Sequence, residues 1–458
     1  MFQDTNMIEG NLFKKILLFS LPVIATSMLQ LLYVSIDLMT VHFGDSAESM
    51  GAIASNNALI KLIIVVFINV SLGVNVVLSE ARGANNKEKA EKVVHTSLVF
   101  ALISGLAVGF LGFFISDNLL EWMGTEAHYF EKAALYLKIY FCGLPFLMIY
   151  NYAAAILRAE GDSKSPFLAL LVSGIINVGF DCMFVFGFDM DVDGVGLATV
   201  IAEAVSAIFL IVVLFKKKSL YVSLEWKKFK IDGKSLLDVL KIGLPAGFQG
   251  FFFSLPNVFI QSSLYTIDPN NVNLENGAVA SGNIEGYYLV LVDSIASSTM
   301  TFIAANVGAK NKENIKKCLL YGAIWGFIAC AIIALITGTL YWPLLRLFVE
   351  HEEAIEAGRQ RLFIFGFFYT FNFLQQFTAA ILRGLKRSTI PMLSTMIFCT
   401  VLRIVLIWTV FPIEAFHTLT WLYALFPITW VLSALFNGIA LIFVYPKETR
   451  KLDLASEA

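Results

Sequence analysis

The chain has 458 residues, 58% of them hydrophobic and only 15% charged, with a mean hydropathy of +0.74. That much apolar surface exceeds what one water-soluble core can bury, which makes lipid the main solvent and excludes a soluble enzyme or a nucleic-acid binder. The net charge of −2 averages over charges bunched between long apolar runs, and the five cysteines lack CxxC or Cys/His spacing, so neither a disulfide framework nor a zinc site is expected.

Twelve apolar stretches follow in chain order, each of about 20 residues or more, enough for a helix to cross roughly 30 Å of hydrocarbon. The first, 15–41, has no small-residue cleavage site and is read as a retained helix; it carries Pro22 and, about five residues from its outer end, Asp37. Stretches 53–79 and 93–115 follow, the former with Lys61, for which a structural ion pair is expected. Stretch 134–157 contains Tyr136; 165–187 contains Asn177 and Asp181; 195–215 contains Thr199 and Glu203. A long basic connection, 216–237, leads to 238–265, in which Pro245 repeats the position of Pro22. Stretch 281–307 holds Glu285 and Asp293, and 318–345 and 362–382 come next. Arg403 lies in 391–411, and 420–445 is the last.

Lysines and arginines collect in alternate connections, from Lys14 and Lys15 through 216–241 to Lys447, Arg450 and Lys451, so those connections and both termini are expected in the cytoplasm. Ala154-Ala-Ile-Leu-Arg158 recurs as Ala379-Ala-Ile-Leu-Arg383, and Gly83-Ala-Asn-Asn-Lys-Glu88 as Gly308-Ala-Lys-Asn-Lys-Glu313, while Leu21-Pro22 matches Leu244-Pro245. The expected fold is therefore an all-α integral membrane protein of two parallel six-helix bundles, an N-terminal lobe 1–215 and a C-terminal lobe 238–458, joined by 216–237.

An ionisable group in mid-span costs about 2.5–3.5 kcal/mol, so Asp37 and Asp181 should face a polar interior rather than lipid. Asp37, Asp181 and Thr199 fall at a similar depth, roughly 10 Å below the outer face at 1.5 Å per residue, with Asn177 one turn below Asp181. Such oxygen donors suit a hard cation such as Na+, and two crowded acids also hold a proton. A purely structural role would use the same groups as hydrogen bonds between helices. Glu285, Asp293 and Glu203 are candidates for the cargo cavity; for Glu285 and Asp293 the alternative is structural pairing, with Arg403 for example, and Glu203, one turn below Thr199, could instead join the first site or serve helix packing. Abundant phenylalanine suits apolar cations through cation–π attraction. Pro22 removes a backbone hydrogen bond and is read as a hinge in the first helix.

Over essentially its whole length the chain resembles the multidrug and toxic compound extrusion (MATE) family. The resemblance is carried by Leu21-Pro22, by Asp37 within Val34-Ser-Ile-Asp-Leu-Met-Thr-Val, by Ala81-Arg-Gly-Ala-Asn-Asn, and by Ile156-Leu-Arg-Ala-Glu-Gly-Asp-Ser-Lys-Ser-Pro166 with its second-half partner. It implies cation-driven antiport of organic, often cationic, compounds, with no cofactor, by a monomer in the cell membrane of a bacterium. It also implies a coupling site at Asp37, Asn177, Asp181 and Thr199, joined by Tyr136. Another branch of the family uses acids in the seventh and tenth helices, and stretches 244–265 and 362–382 contain none. Two other readings remain at this stage. A flippase for a lipid-linked saccharide would need a basic cavity, and a membrane-embedded enzyme would need a catalytic motif such as HExxH or GxSxG, which the sequence lacks.

Overall fold

In a computed structural model the described residues are 5–43, 47–217, 221, 224–225, 228–268 and 271–457, with side chains at 34, 37–43, 47–51, 54–55, 57–59, 61–63, 265 and 453–457 outside the description. The side chains of Asp37 and Lys61 are thus among those not described. The described residues form helices and no strand. In order these are α1 (Leu12–Phe43), α2 (Ala47–Gly83), α3 (Lys87–Trp122), α4 (Phe130–Ala159), α5 (Lys164–Cys182), α6 (Val192–Lys216), α7 (Gly233–Ile267), α8 (Val272–Gly308), α9 (Lys312–Arg346), α10 (Glu352–Gly384), α11 (Thr389–Ser394), α12 (Arg403–Thr409) and α13 (Leu419–Glu457). A π-helical turn, Met183–Gly187, continues α5, and a longer one, Thr395–Leu402, joins α11 to α12, so the eleventh stretch is one interrupted helix.

Eleven of the twelve spans are long and apolar enough to cross a membrane by composition; the exception, α10, is long enough but carries Tyr369, Asn372 and Gln375 in its interior. Burial is inverted relative to a soluble protein. Phe110, Ile175, Leu335, Ile442 and Phe443 lie exposed, while Asn177, Asn306, Asn372 and Asn437 are buried. This is the pattern of a bundle whose polar groups avoid hydrocarbon.

The repeat read in the sequence is also a repeat of conformation. Asn86 and Asn311 each cap the following helix, accepting from the backbone N–H of Lys89 at 2.9 Å and of Asn314 at 3.0 Å. The residue before each cap, Asn85 or Lys310, takes left-handed backbone angles, φ 55° and 56°. A second equivalent pair, Gly161 and Lys386, is left-handed too.

The chain divides into two compact units, one of Met1–Asn6 with Leu21–Leu244 and one of Met7–Ser20 with Pro245–Ala458. In the first, α4 packs on α2, α3 and α6, and α5 packs on α6. In the second, α10 is the central helix, packed on α8, α9 and α13. The units change at Leu21 and at Pro245, beside the two repeated Leu-Pro pairs, rather than in 216–237 where the sequence suggested a joint. The described residues of 216–237 are fastened to the first unit instead. Lys217 pairs with Asp162 at 3.1 Å, Tyr221 donates to Asn85 Oδ1 at 2.8 Å, and the Asp232 N–H donates to Thr96 Oγ1 at 2.9 Å. The start of α7 goes with them, held where Gly73 and Gly243 let α2 and α7 meet backbone to backbone.

Residues 7–20 belong by the same logic to the second unit. Phe13 stacks on Trp325 at 4.6 Å between ring centres, the Trp325 indole donates to the Phe13 carbonyl at 3.0 Å, and Asn306 donates to the Met7 carbonyl at 2.9 Å. Leu12, Ile16 and Phe19 are buried there.

Candidate functional site

Four helices of the first unit bring the sequence-selected residues toward one level. Tyr33 of α1 donates to the Leu170 carbonyl of α5, and its ring lies against Gly174, where any Cβ would fall 2.2 Å from it. That contact fixes the register of two helices running in the same direction. Residue 37 is one turn further along α1, a rise of about 6 Å, while Asn177 and Asp181 rise about 4.5 and 10 Å beyond Gly174. The backbone of Asp37 therefore falls between the levels of Asn177 and Asp181. Tyr33 was missed in the sequence, where its four-residue spacing from Asp37 is the one signal that points to it.

On the facing side Phe184 packs against Gly194 at the start of α6. Counting back to Asp181 on α5 and on to Thr199 on α6, both pass below that contact, their heights differing by roughly 3 Å. Thr199 donates its hydroxyl to the Val195 carbonyl at 3.0 Å. Tyr136 of α4 is buried beside Gly196, one turn before Thr199. Asp181 is fully buried, and Asn177, 3% exposed, has no hydrogen-bond partner for either amide atom among the described residues. The π-helical turn begins two residues after Asp181, a distortion that recurs beside functional groups in helices. Glu203 is half-buried with Oε2 close to Gly143 of α4, where a Cβ would fall 2.7 Å from it.

The acids of α8 have different surroundings. Glu285 is bridged at 2.9 Å by Arg361 of α10, a residue just before the apolar stretch 362–382. Arg403, the expected partner, instead donates to Thr429 Oγ1 at 2.6 Å. Asp293 is exposed on its unit, in the electrostatic range of Arg383, whose Nη2 donates to Gln249 of α7 at 3.0 Å. Arg383 is the arginine of the repeated Ala-Ala-Ile-Leu-Arg segment, and it holds α7 one turn beyond Pro245. No group of three or more His, Cys, Asp or Glu side chains able to hold a metal ion occurs among the described residues.

Two helical units with apolar exteriors and buried polar residues in spans long enough to cross a membrane define a multi-pass membrane transporter rather than an enzyme. The chain belongs to the MatE family, whose pattern matches residues 22–183 and 276–409. It is similar to the probable multidrug resistance protein YoeA of Bacillus subtilis, 25% identical over 88% of this chain and 86% of that one. The fold is shared with a MOP superfamily transporter from Pyrococcus furiosus described as having a binding pocket of reverse polarity, at TM-score 0.88 and 22% identity over 99% of this chain and 100% of that chain. It is also shared with a MATE protein crystallised in a bent conformation, at TM-score 0.87 and 22% identity over the whole of both chains.

Proposed function

We propose that the chain exports amphipathic organic compounds, cationic ones included, from the cell in exchange for H+ or Na+ taken up by the first unit. It acts as a monomer in the cell membrane, with basic connections and both termini in the cytoplasm. Asp37 and Asp181 carry the coupling charge, Asn177 and Thr199 supply neutral oxygens, and Tyr136 lines the same level. The observation that carries this reading is the buried, unpartnered Asn177 amide one turn from the buried Asp181. A buried amide without partners is uncommon, since buried polar groups are nearly always satisfied. A hard cation among these oxygens would occupy the carbonyl, and a proton shared between the acids would relieve their repulsion.

Coupling needs only that cation and cargo favour different states, because a ligand shifts an equilibrium by its differential affinity alone. Pro22, which leaves α1 short of one backbone hydrogen bond, gives the Asp37 end of α1 freedom to bend when the acids are neutralised. The test is accumulation of a fluorescent lipophilic cation in inverted vesicles under an imposed proton or sodium gradient. Uptake under one gradient that disappears in Asp181→Asn is expected. Accumulation that no gradient affects would reject coupled antiport.

A further inference from the structure

Among the described residues of the second unit, the buried Arg383 and Arg403 meet no carboxylate at contact distance; Arg383 is held by Gln249 of α7, while Arg403 shares its surroundings with a bridged pair. Glu285 and Arg361 are joined at 2.9 Å, and Arg361 Nη1 also donates to the Ala278 carbonyl at 3.0 Å. Arg403 opens α12 directly after the π-helical turn and is 1% exposed. Its contact partners are neutral: the Thr429 hydroxyl and the ring of Phe426, whose centre is 4.2 Å from the guanidinium carbon. A guanidinium does not give up its proton in a protein, and a buried charge without a counter-charge is strongly destabilising.

The two arginines sit on one pair of touching rings, inclined to each other by 59°. Arg361 lies 5.2 Å from the centre of Phe365, and Phe365 lies 4.7 Å from Phe426, which carries Arg403. Glu285 is within electrostatic range of both arginines, while Asp293 is in the range of Arg383 instead. Donors dominate the surroundings. The Nε groups of Arg361 and Arg403, the indole N–H of Trp430 and the hydroxyl of Tyr369 have no partner among the described residues, and the last two rings meet at 5.7 Å. Of the two guanidiniums only Arg361 offers an accessible edge, its side chain being 20% exposed.

We infer that this cluster is an anion site for cargo, in which a carboxylate of an amphipathic compound takes Arg361 while Glu285 turns to Arg403. The exchange balances charge. Before it one guanidinium lacks a carboxylate, and after it both have one, so the site gains from binding an anion what it could not gain from a neutral or cationic group. The planar fork of Arg361 suits a carboxylate, which it can bind with two parallel hydrogen bonds. The inference rests on the transport reading above and extends it to anionic and zwitterionic cargo.

The test compares equilibrium binding of a fluorescent amphipathic carboxylic acid and its methyl ester to the purified full-length protein. The two probes share an aromatic body and differ by one charge, so the comparison in the wild type requires no variant to fold. The acid should bind on the order of tenfold more tightly than the ester. Arg361→Gln should abolish the difference, Arg403→Gln should reduce it, and Arg403→Lys should keep it. Equal binding of acid and ester by the wild type, or a preference untouched by Arg361→Gln, overturns the inference. An alkyl phosphate that displaces the ester's aromatic body better than the acid does overturns the carboxylate assignment in favour of a lipid-type headgroup. Gradient-driven efflux of a lipophilic cation, measured in the same preparation, keeps the two readings apart: intact cation efflux without any acid preference removes the anion site alone, and an acid preference without driven efflux removes the antiport reading alone.

Discussion

Replacing Gly277 with Ala should loosen the contact between α8 and α10 and, with it, the Glu285–Arg361 bridge. A Cβ at 277 would lie 2.2 Å from the Ala354 carbonyl oxygen and 2.7 Å from the Gly358 nitrogen, both backbone atoms that cannot swing aside. Van der Waals contact for such a pair begins near 3.4 Å, so the two helices must part locally by roughly 1 Å. Overpacking of this kind costs about 1–3 kcal/mol, and the better helix propensity of Ala offsets at most about 1 kcal/mol of it. Gly438→Ala is the matched control, because nothing lies within 4 Å of its Cβ direction and only the propensity gain applies. Thermal unfolding of both variants in detergent should place Gly277→Ala below the wild type and Gly438→Ala at or above it. The bridge lies eight residues further along α8, about 12 Å at 1.5 Å per residue, so acid binding should weaken in the first variant and not in the second. Equal stability of the two variants would refute the backbone-to-backbone packing of α8 on α10 at Gly277.

Asp37→Asn should abolish coupled efflux while expression and unfolding temperature stay near wild type, as dye-efflux and thermal assays can show together; full efflux would remove Asp37 from the mechanism. Pro22→Ala restores a backbone hydrogen bond and straightens α1, so cation-dye binding should persist while reconstituted turnover falls, and unchanged turnover would make the bend a packing feature only. With the exposed native Cys142 and Cys182 replaced, a cysteine at Val272 should react with an impermeant maleimide on intact cells, and one at Lys228 only after permeabilisation; the reverse pattern would invert the topology. Hydrogen bonds from the Ser235 side chain and backbone hold the Asp232 carboxyl below its ordinary range, so this cap at the start of α7 is present above the unfolded carboxylate range and is lost only as pH falls through the lowered value. Amide exchange in 233–238 should accordingly be indifferent to pH across neutrality after correction for intrinsic rates, and faster in Asp232→Ala.

The spans and the repeat were legible because lipid imposes length and apolarity on every crossing segment, and because duplicated turns such as Asn85-Asn86 and Lys310-Asn311 keep their residues and their backbone angles. Asn177 and Asp181 were legible as polar residues one turn apart in an apolar run. Arg361 was not. It precedes the apolar stretch 362–382, but α10 begins at Glu352, so a residue assigned to a connection stands more than two turns inside a helix. Nor could pattern show that Arg403 would face Thr429 rather than Glu285, since the π-helical turn before it changes the direction in which α12 presents its side chains. The exchange of residues 7–20 was hidden for another reason: an apolar half-helix reads the same whichever bundle receives it.

That exchange has a consequence for how the chain is made. Met7 meets Asn306 across 299 positions of sequence, and Phe13 meets Trp325 across 312. At synthesis rates of about 5–20 residues per second, the leading arm is exposed in the membrane for on the order of 15–60 seconds before its binding groove on α8 and α9 exists. During that interval the buried faces of Leu12, Ile16 and Phe19 can be covered only by lipid or by the insertion machinery, and a ribosome that stops near residue 232 leaves them permanently without a home. The second bundle is thus not complete at its own C-terminus; its first-made part waits at the other end of the protein, and quality control could recognise an abandoned first half by that unclaimed arm.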